Sequence, residues 1–269
     1  MKSHFLDRIS IAAWSVTMLL ALSAVLALPP KGANLIVGNT TVTLPADLAS
    51  LFPPLLALLS GLGTEAVLRA HPIAEAGGLR FSARYWALPV ALTMIAAVLQ
   101  PQAPSALYQA LGLLAFALLL SGVLAALYYS LDAQGVGYRR ARAWLNLTCY
   151  AVALLLFLLI PRSWGIAARS AVTGGVALLL ALELLRGTQL GGQRVGLYAA
   201  IVAAVMAEVA LVLPLLGRSE LSNGLLLLLL FYLLVSFSWQ TLLRRLNRLV
   251  AVELLVVGAV GLALILLFA

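Results

Sequence analysis

The stretch "AIVAAVMAEVALVLP", Ala200 to Pro214, is apolar at every position except Glu208. Wound as a helix it rises about 22 Å, most of the roughly 30 Å of hydrocarbon in a bilayer. Similar runs recur from one end of the chain to the other. Hydrophobic residues make up 64% of the 269 and charged residues 10%, with a mean hydropathy of +1.09, whereas soluble proteins carry about 25% charge. The chain therefore reads as an all-α integral membrane protein. Residues 1–269 form a single polytopic membrane domain, because the apolar runs leave no length for a soluble one.

The runs predict about nine transmembrane helices: Ser10–Leu28, Ala46–Ala70, Tyr85–Leu99, Ala106–Leu131, Leu145–Ile160, Ser170–Leu185, Val195–Leu216, Leu225–Leu243 and Leu249–Phe268. The third, fifth and sixth are short for a full crossing. The first has a core longer than the roughly 7–15 apolar residues of a signal peptide, and is expected to be a retained helix. Between the first two, "NLIVGNTTVTLP" alternates its side chains about Gly38 and Asn39. A small outer β-hairpin is expected there, with an ordered loop as the other reading.

Threading nine spans with the N-terminus inside places Lys2, Arg8, Arg69, Arg80, Arg84, Arg139, Arg140, Arg142, Arg186, Arg194, Arg244, Arg245 and Arg248 on the inner side. Lys31, Arg162, Arg169 and Arg218 fall outside, so the 17 basic residues divide thirteen to four. That asymmetry is what the positive-inside rule requires. It predicts a protein of the cytoplasmic (inner) membrane, N-terminus inside and C-terminus outside. Lysine occurs only twice, at Lys2 and Lys31, a balance expected of a GC-rich bacterial genome.

The net charge of +8 does not indicate nucleic acid, since the basic residues stand singly or in short groups between apolar runs. The expected partners are the bilayer, anionic head groups at the inner face and other membrane subunits. Arg139, Arg140, Arg142, Arg244, Arg245 and Arg248 are the candidate contacts for lipid phosphates.

Ionisable residues within a membrane are costly and by default a functional hypothesis. Glu65 precedes Arg69 by four residues and Glu183 precedes Arg186 by three, spacings that allow an ion pair along one helix face near the inner boundary. Glu253 opens the last helix, where the helix dipole favours it. Glu208 has no such help: Arg194 and Arg218 are 14 and 10 residues away, roughly 21 and 15 Å. Ala200 and Ala204 share its stripe, with Ala203 and Ala207 beside it, and small residues let helices approach. The carboxyl is therefore expected to face protein, with the hydroxyls of Thr93, Ser121, Thr173 and Ser236 or the Trp239 indole as partners. Pro53 and Pro54 remove helical donors, so the second helix is expected to kink or break in its outer third, as it does at some transporter sites.

Only His4 and His71 occur, both outside the expected spans. A buried bis-histidine haem, a helix-borne HExxH zinc site and a serine–histidine dyad are thereby excluded. The single cysteine, Cys149, rules out a disulfide framework. With no glycine-rich phosphate loop and no paired-aspartate motif, the sequence points to no cofactor and no catalytic constellation. The expectation is a non-catalytic subunit, scaffold or assembly factor of a membrane complex; the alternative is a small transporter or lipid-handling protein working through the second helix and Glu208.

Overall fold

The computed structural model describes residues 2–25, 34–37, 40–43, 48–74, 82–160, 165–217 and 219–268. Gly38 and Asn39, and the basic residues Lys31, Arg80, Arg162 and Arg218, lie outside that set. The chain forms two compact units, Met1–Ala141 and Arg142–Ala269.

In the first unit, α1 (Lys2–Val25) is followed by strands β1 (Asn34–Val37) and β2 (Thr40–Thr43), which pair antiparallel with Asn34 opposite Thr43 and Val37 opposite Thr40. Then come α2 (Leu48–Leu68), α3 (Ala87–Leu99) with a 3-10 turn on each side, and α4 (Ala106–Tyr129). α1 packs on α2 and α4, and α3 on α2 and α4. Ala13, Val16 and Leu20 of α1 meet this core with Leu56, Leu88, Leu120 and Leu124, all buried. Gly63 lets α1 approach α2, since a Cβ there would stand 3.3 Å from that of Ala12.

Of the expected kink or break at Pro53 and Pro54, the break does not occur: α2 stays helical through both. The two prolines deprive only the carbonyls of Ala49 and Ser50 of their helical donors, both in the opening turn. Pro54 is exposed and Pro53 half-buried.

The second unit contains most of α5 (Tyr138–Leu159), then α6 (Ile166–Arg186), α7 (Gly192–Val212, extended as a 3-10 turn to Leu216), α8 (Glu220–Leu242) and α9 (Arg248–Phe268). The closest pairing is α6 with α7, where a Cβ on Gly174 would meet that of Ala207 at 3.0 Å and Ser170 Oγ donates to the Ala207 carbonyl at 2.7 Å. Phe231 of α8 is fully buried and meets Tyr150 and Phe157 of α5 edge-on at 6.2 and 5.9 Å. α9 touches α8 through Gly258 and Gly261, where added Cβ atoms would lie 3.1 and 2.8 Å from Leu233 and Leu229.

α5 and α6 are longer than their apolar runs, because each takes in the arginines at one end: Arg139, Arg140 and Arg142 begin α5 and Arg186 ends α6. Among the described residues seven helices are long and apolar enough to cross a membrane; Phe52–Leu68 and Ala87–Gln102 are shorter apolar helices. Large exposed side chains such as Leu107, Leu249 and Leu255, at 67, 80 and 72%, would be intolerable as a surface in water. In hydrocarbon they are ordinary, and the chain is a multi-pass helical membrane protein.

Candidate functional site

The second unit holds a buried charge cluster that joins two helices. Glu183, in the last turn of α6, is fully buried. Arg186 Nε donates to its Oε2 at 3.1 Å, and Arg186 Nη2 also lies on Oε1. Arg142, one turn into α5, reaches the same Oε1 from Nη1 at 3.2 Å. Its Nη2 donates to the carbonyls of Glu183 and Leu184 at 3.3 and 3.1 Å and to Asn146 Oδ1 at 3.4 Å. The guanidinium thus caps the negative end of the α6 dipole and completes an ion triad. Arg142, 8% exposed, is therefore not available to a lipid phosphate, in contrast to the expectation for it. Arg139, Arg140, Arg244, Arg245 and Arg248 are exposed.

The first unit has a simpler counterpart. Arg69 Nε lies 2.7 Å from Glu65 Oε1, and Trp86 Nε1 donates to Glu65 Oε2 at 3.2 Å. The Trp86 ring rests on Gly61, one turn earlier in α2, where a Cβ would meet it at 2.9 Å. Arg8 of α1 donates to the Ala66 carbonyl at 3.2 Å. Beyond α2, His71 packs edge-on against Tyr128 at 4.9 Å, and Tyr128 stacks on Phe5 at 3.9 Å. Burial pushes the His71 imidazole below its ordinary value, and the carboxylate of Asp132 opposes that shift. His71 and Asp132 are 61 residues apart, so no local spacing announced their meeting.

Glu208 is exposed, contrary to the expectation that it faces protein. The face of α7 that packs is marked by Val195, Ala199, Val202, Met206 and Ala210. Glu208 is two residues beyond Met206, about 200° around the helix and so nearly opposite that face. Of the alanines near it, Ala203 and Ala207 do form a close seam, but with α6; Ala200 and Ala204 are exposed with Glu208. The expected partners are engaged elsewhere. Thr93, Ser121 and Thr173 donate to carbonyls one turn back in their own helices, and Ser236 hydrogen-bonds Tyr150. Among the described residues nothing donates to the Glu208 carboxyl.

What Glu208 faces is a groove. α7 and α9 both pack on α8 and leave between them an open channel of about 1090 Å³. Leu226, Leu229, Leu230, Leu233, Leu234 and Phe237 of α8 form its floor, with Leu255, Ala259 and Leu262 of α9 along one wall and Glu208, Val209 and Val212 of α7 along the other. Glu208 is the one polar residue among these described lining groups. A second cavity in this unit, about 150 Å³, is polar: Asn146 and Tyr150 of α5 face Ser236, Trp239 and Gln240 of α8 across it.

Fold and sites together define a multi-pass helical membrane protein with a buried ion triad and a carboxyl on an open apolar groove. Residues 28–268 match a family described as a protein of unknown function, DUF5656, and the chain belongs to that family. No curated protein and no solved structure matches it.

Proposed function

We propose that the chain is a non-catalytic subunit, scaffold or assembly factor of a complex in the cytoplasmic membrane. The observation that carries this reading is the α7–α8–α9 groove, an apolar channel open along its side with a single polar group on its wall. An open apolar groove is the shape of a contact surface for another membrane component, and the wholly apolar floor offers a solute nothing to bind. The exposure of Arg139, Arg140, Arg244, Arg245 and Arg248 supports contact with anionic head groups at the inner face.

The reading includes nine crossings, an inside N-terminus and an outside C-terminus, with the β1–β2 pair at the outer surface. Seven crossings, omitting the consecutive α2 and α3, would leave every later helix in the same direction. They would, however, move Arg69, Arg80 and Arg84 outward and weaken the charge division from thirteen against four to ten against seven. The charges therefore favour α2 and α3 as crossing helices. A periplasmic phosphatase fused after Ala269 is expected to be active; an inactive fusion overturns this orientation.

The alternative, a small transporter or lipid-handling protein, uses a kinked second helix and a buried glutamate. The outward Glu208 gives it less support. Native mass spectrometry of the gently extracted protein tests the choice: another membrane subunit at fixed stoichiometry is expected, and a lone chain retaining only lipid overturns the subunit reading.

A further inference from the structure

We infer that the α7–α8–α9 groove receives a single transmembrane helix of another protein, which sets a basic side chain against Glu208. The inference rests on the subunit reading and adds to it the shape and chemistry of the partner.

Size comes first. The floor runs from Leu226 to Phe237, about 16 Å at 1.5 Å per residue. A volume of about 1090 Å³ over that length gives a mean cross-section of roughly 66 Å², equivalent to a channel about 9 Å across. A helix about 10–12 Å in diameter with its side chains seats most of its width in a groove of that size that is open along its side. One acyl chain would leave most of it empty.

Chemistry narrows the occupant further. Glu208 lies 16 residues into α7 from Gly192 and eight before Leu216, roughly 24 and 12 Å from the two ends of the segment. A carboxyl at that depth lacks water, so it requires a donor from whatever fills the groove. An acyl chain has none. A lysine or arginine donates to the carboxyl, and its long apolar stem crosses the rest of the channel. A second copy of this chain does not meet the need: among the described residues no lysine lies in a helix beyond Lys2, and the arginines of the membrane-crossing helices lie within about two turns of a helix end. Ala259 on α9 and Val212 on α7 keep the walls low beside the incoming helix.

The full-length chain is reconstituted in phosphatidylcholine vesicles with either of two labelled single-span leucine–alanine helices. One carries a lysine about 12 Å from its outer end; the other carries leucine there. Energy transfer from the protein's tryptophans to the probe reads association. The lysine helix is expected to bind about tenfold more tightly, as one interhelical polar contact in lipid allows. In Glu208→Leu, an exposed substitution that leaves packing untouched, the preference should fall below twofold. In Leu230→Trp, which fills the floor, both helices should be displaced. Equal binding of the two helices, or an unchanged preference in Glu208→Leu, overturns the inference, as does a retained lipid or second copy that native mass spectrometry finds expelled by Leu230→Trp. A subunit that co-purifies from native membranes with wild type and Glu208→Leu alike also overturns it but leaves the subunit reading standing; a lone chain in that experiment ends the subunit reading instead.

Discussion

Replacing Glu183 by glutamine removes the only anion from a site that holds two guanidinium groups. Glu183 is fully buried and Arg142 is 8% exposed, so neither cation of the triad gains water readily when the carboxylate disappears. Breaking a buried ion pair from one side costs about 3–5 kcal/mol. The lower end applies here, because Arg142 keeps the carbonyls of Glu183 and Leu184 and the amide oxygen of Asn146, and glutamine retains one acceptor. At roughly 2–4 °C per kcal/mol for a chain of this size, a loss of about 3 kcal/mol lowers the melting temperature by about 6–12 °C. The protein supplies its own reporter, since Cys149 is the sole cysteine, lies on α5 and is completely buried. A thiol-reactive fluorophore in detergent therefore reads the opening of the helix that carries Arg142. Arg186→Ala should cost less than Arg142→Leu, because Arg142 holds the carbonyls of Glu183 and Leu184 and the Asn146 amide oxygen besides its bond to the Glu183 carboxylate. Combined with Arg142→Leu, Glu183→Leu should restore part of the loss, since only Arg186, and not both cations, is then left without the carboxylate. A shift under 2 °C for Glu183→Gln, or a greater loss from Arg186→Ala than from Arg142→Leu, refutes the reasoning.

Gly187→Ala, measured in the same way, should destabilise by about 1–3 kcal/mol: its Cβ would strike Arg142 Nη2 and the Trp239 ring, at 2.5 and 2.7 Å. Trp86→Phe keeps a ring over Gly61 and removes the donor to Glu65, so a loss of about 1–2 kcal/mol in chemical denaturation is expected. His71 sets a pH dependence. Its folded-state value lies below the ordinary 6.5, so the unfolded chain binds the proton first as pH falls; the contribution is complete above about 6.5 and is lost as pH drops through the lower folded value. Melting temperature against pH should decline below 6.5 in wild type, decline less in His71→Gln, and decline more in Asp132→Asn, which removes the charge opposing the shift.

How much of this was legible in the sequence depends on the range of the interaction. The apolar runs located α7, α8 and α9 to within a few residues, because hydrophobic length is a local property. The Glu65–Arg69 and Glu183–Arg186 pairs are spaced by the helix itself. Arg142 was read as a lipid contact because its partner lies 41 residues on, and no local pattern announces a side chain that caps a different helix. The one available signal was that Arg142, unlike Arg140, falls on the same face of α5 as Asn146 and Cys149.

Glu208 failed for a deeper reason. In water the apolar face of a helix is its buried face, so hydropathy gives the helix's rotation about its axis. In a bilayer both faces are apolar, and that information vanishes. Along α7, Val202 and Met206 are buried while Ile201 and Leu211 are exposed, and nothing in their hydrophobicity separates them. Small residues are the remaining clue, and alanine occupies both faces: Ala203 and Ala207 pack against α6, Ala200 and Ala204 do not. The sequence therefore placed the carboxyl within the membrane and left its direction open by a full half-turn. That half-turn separates a group that holds this chain together from one that an incoming helix would have to satisfy.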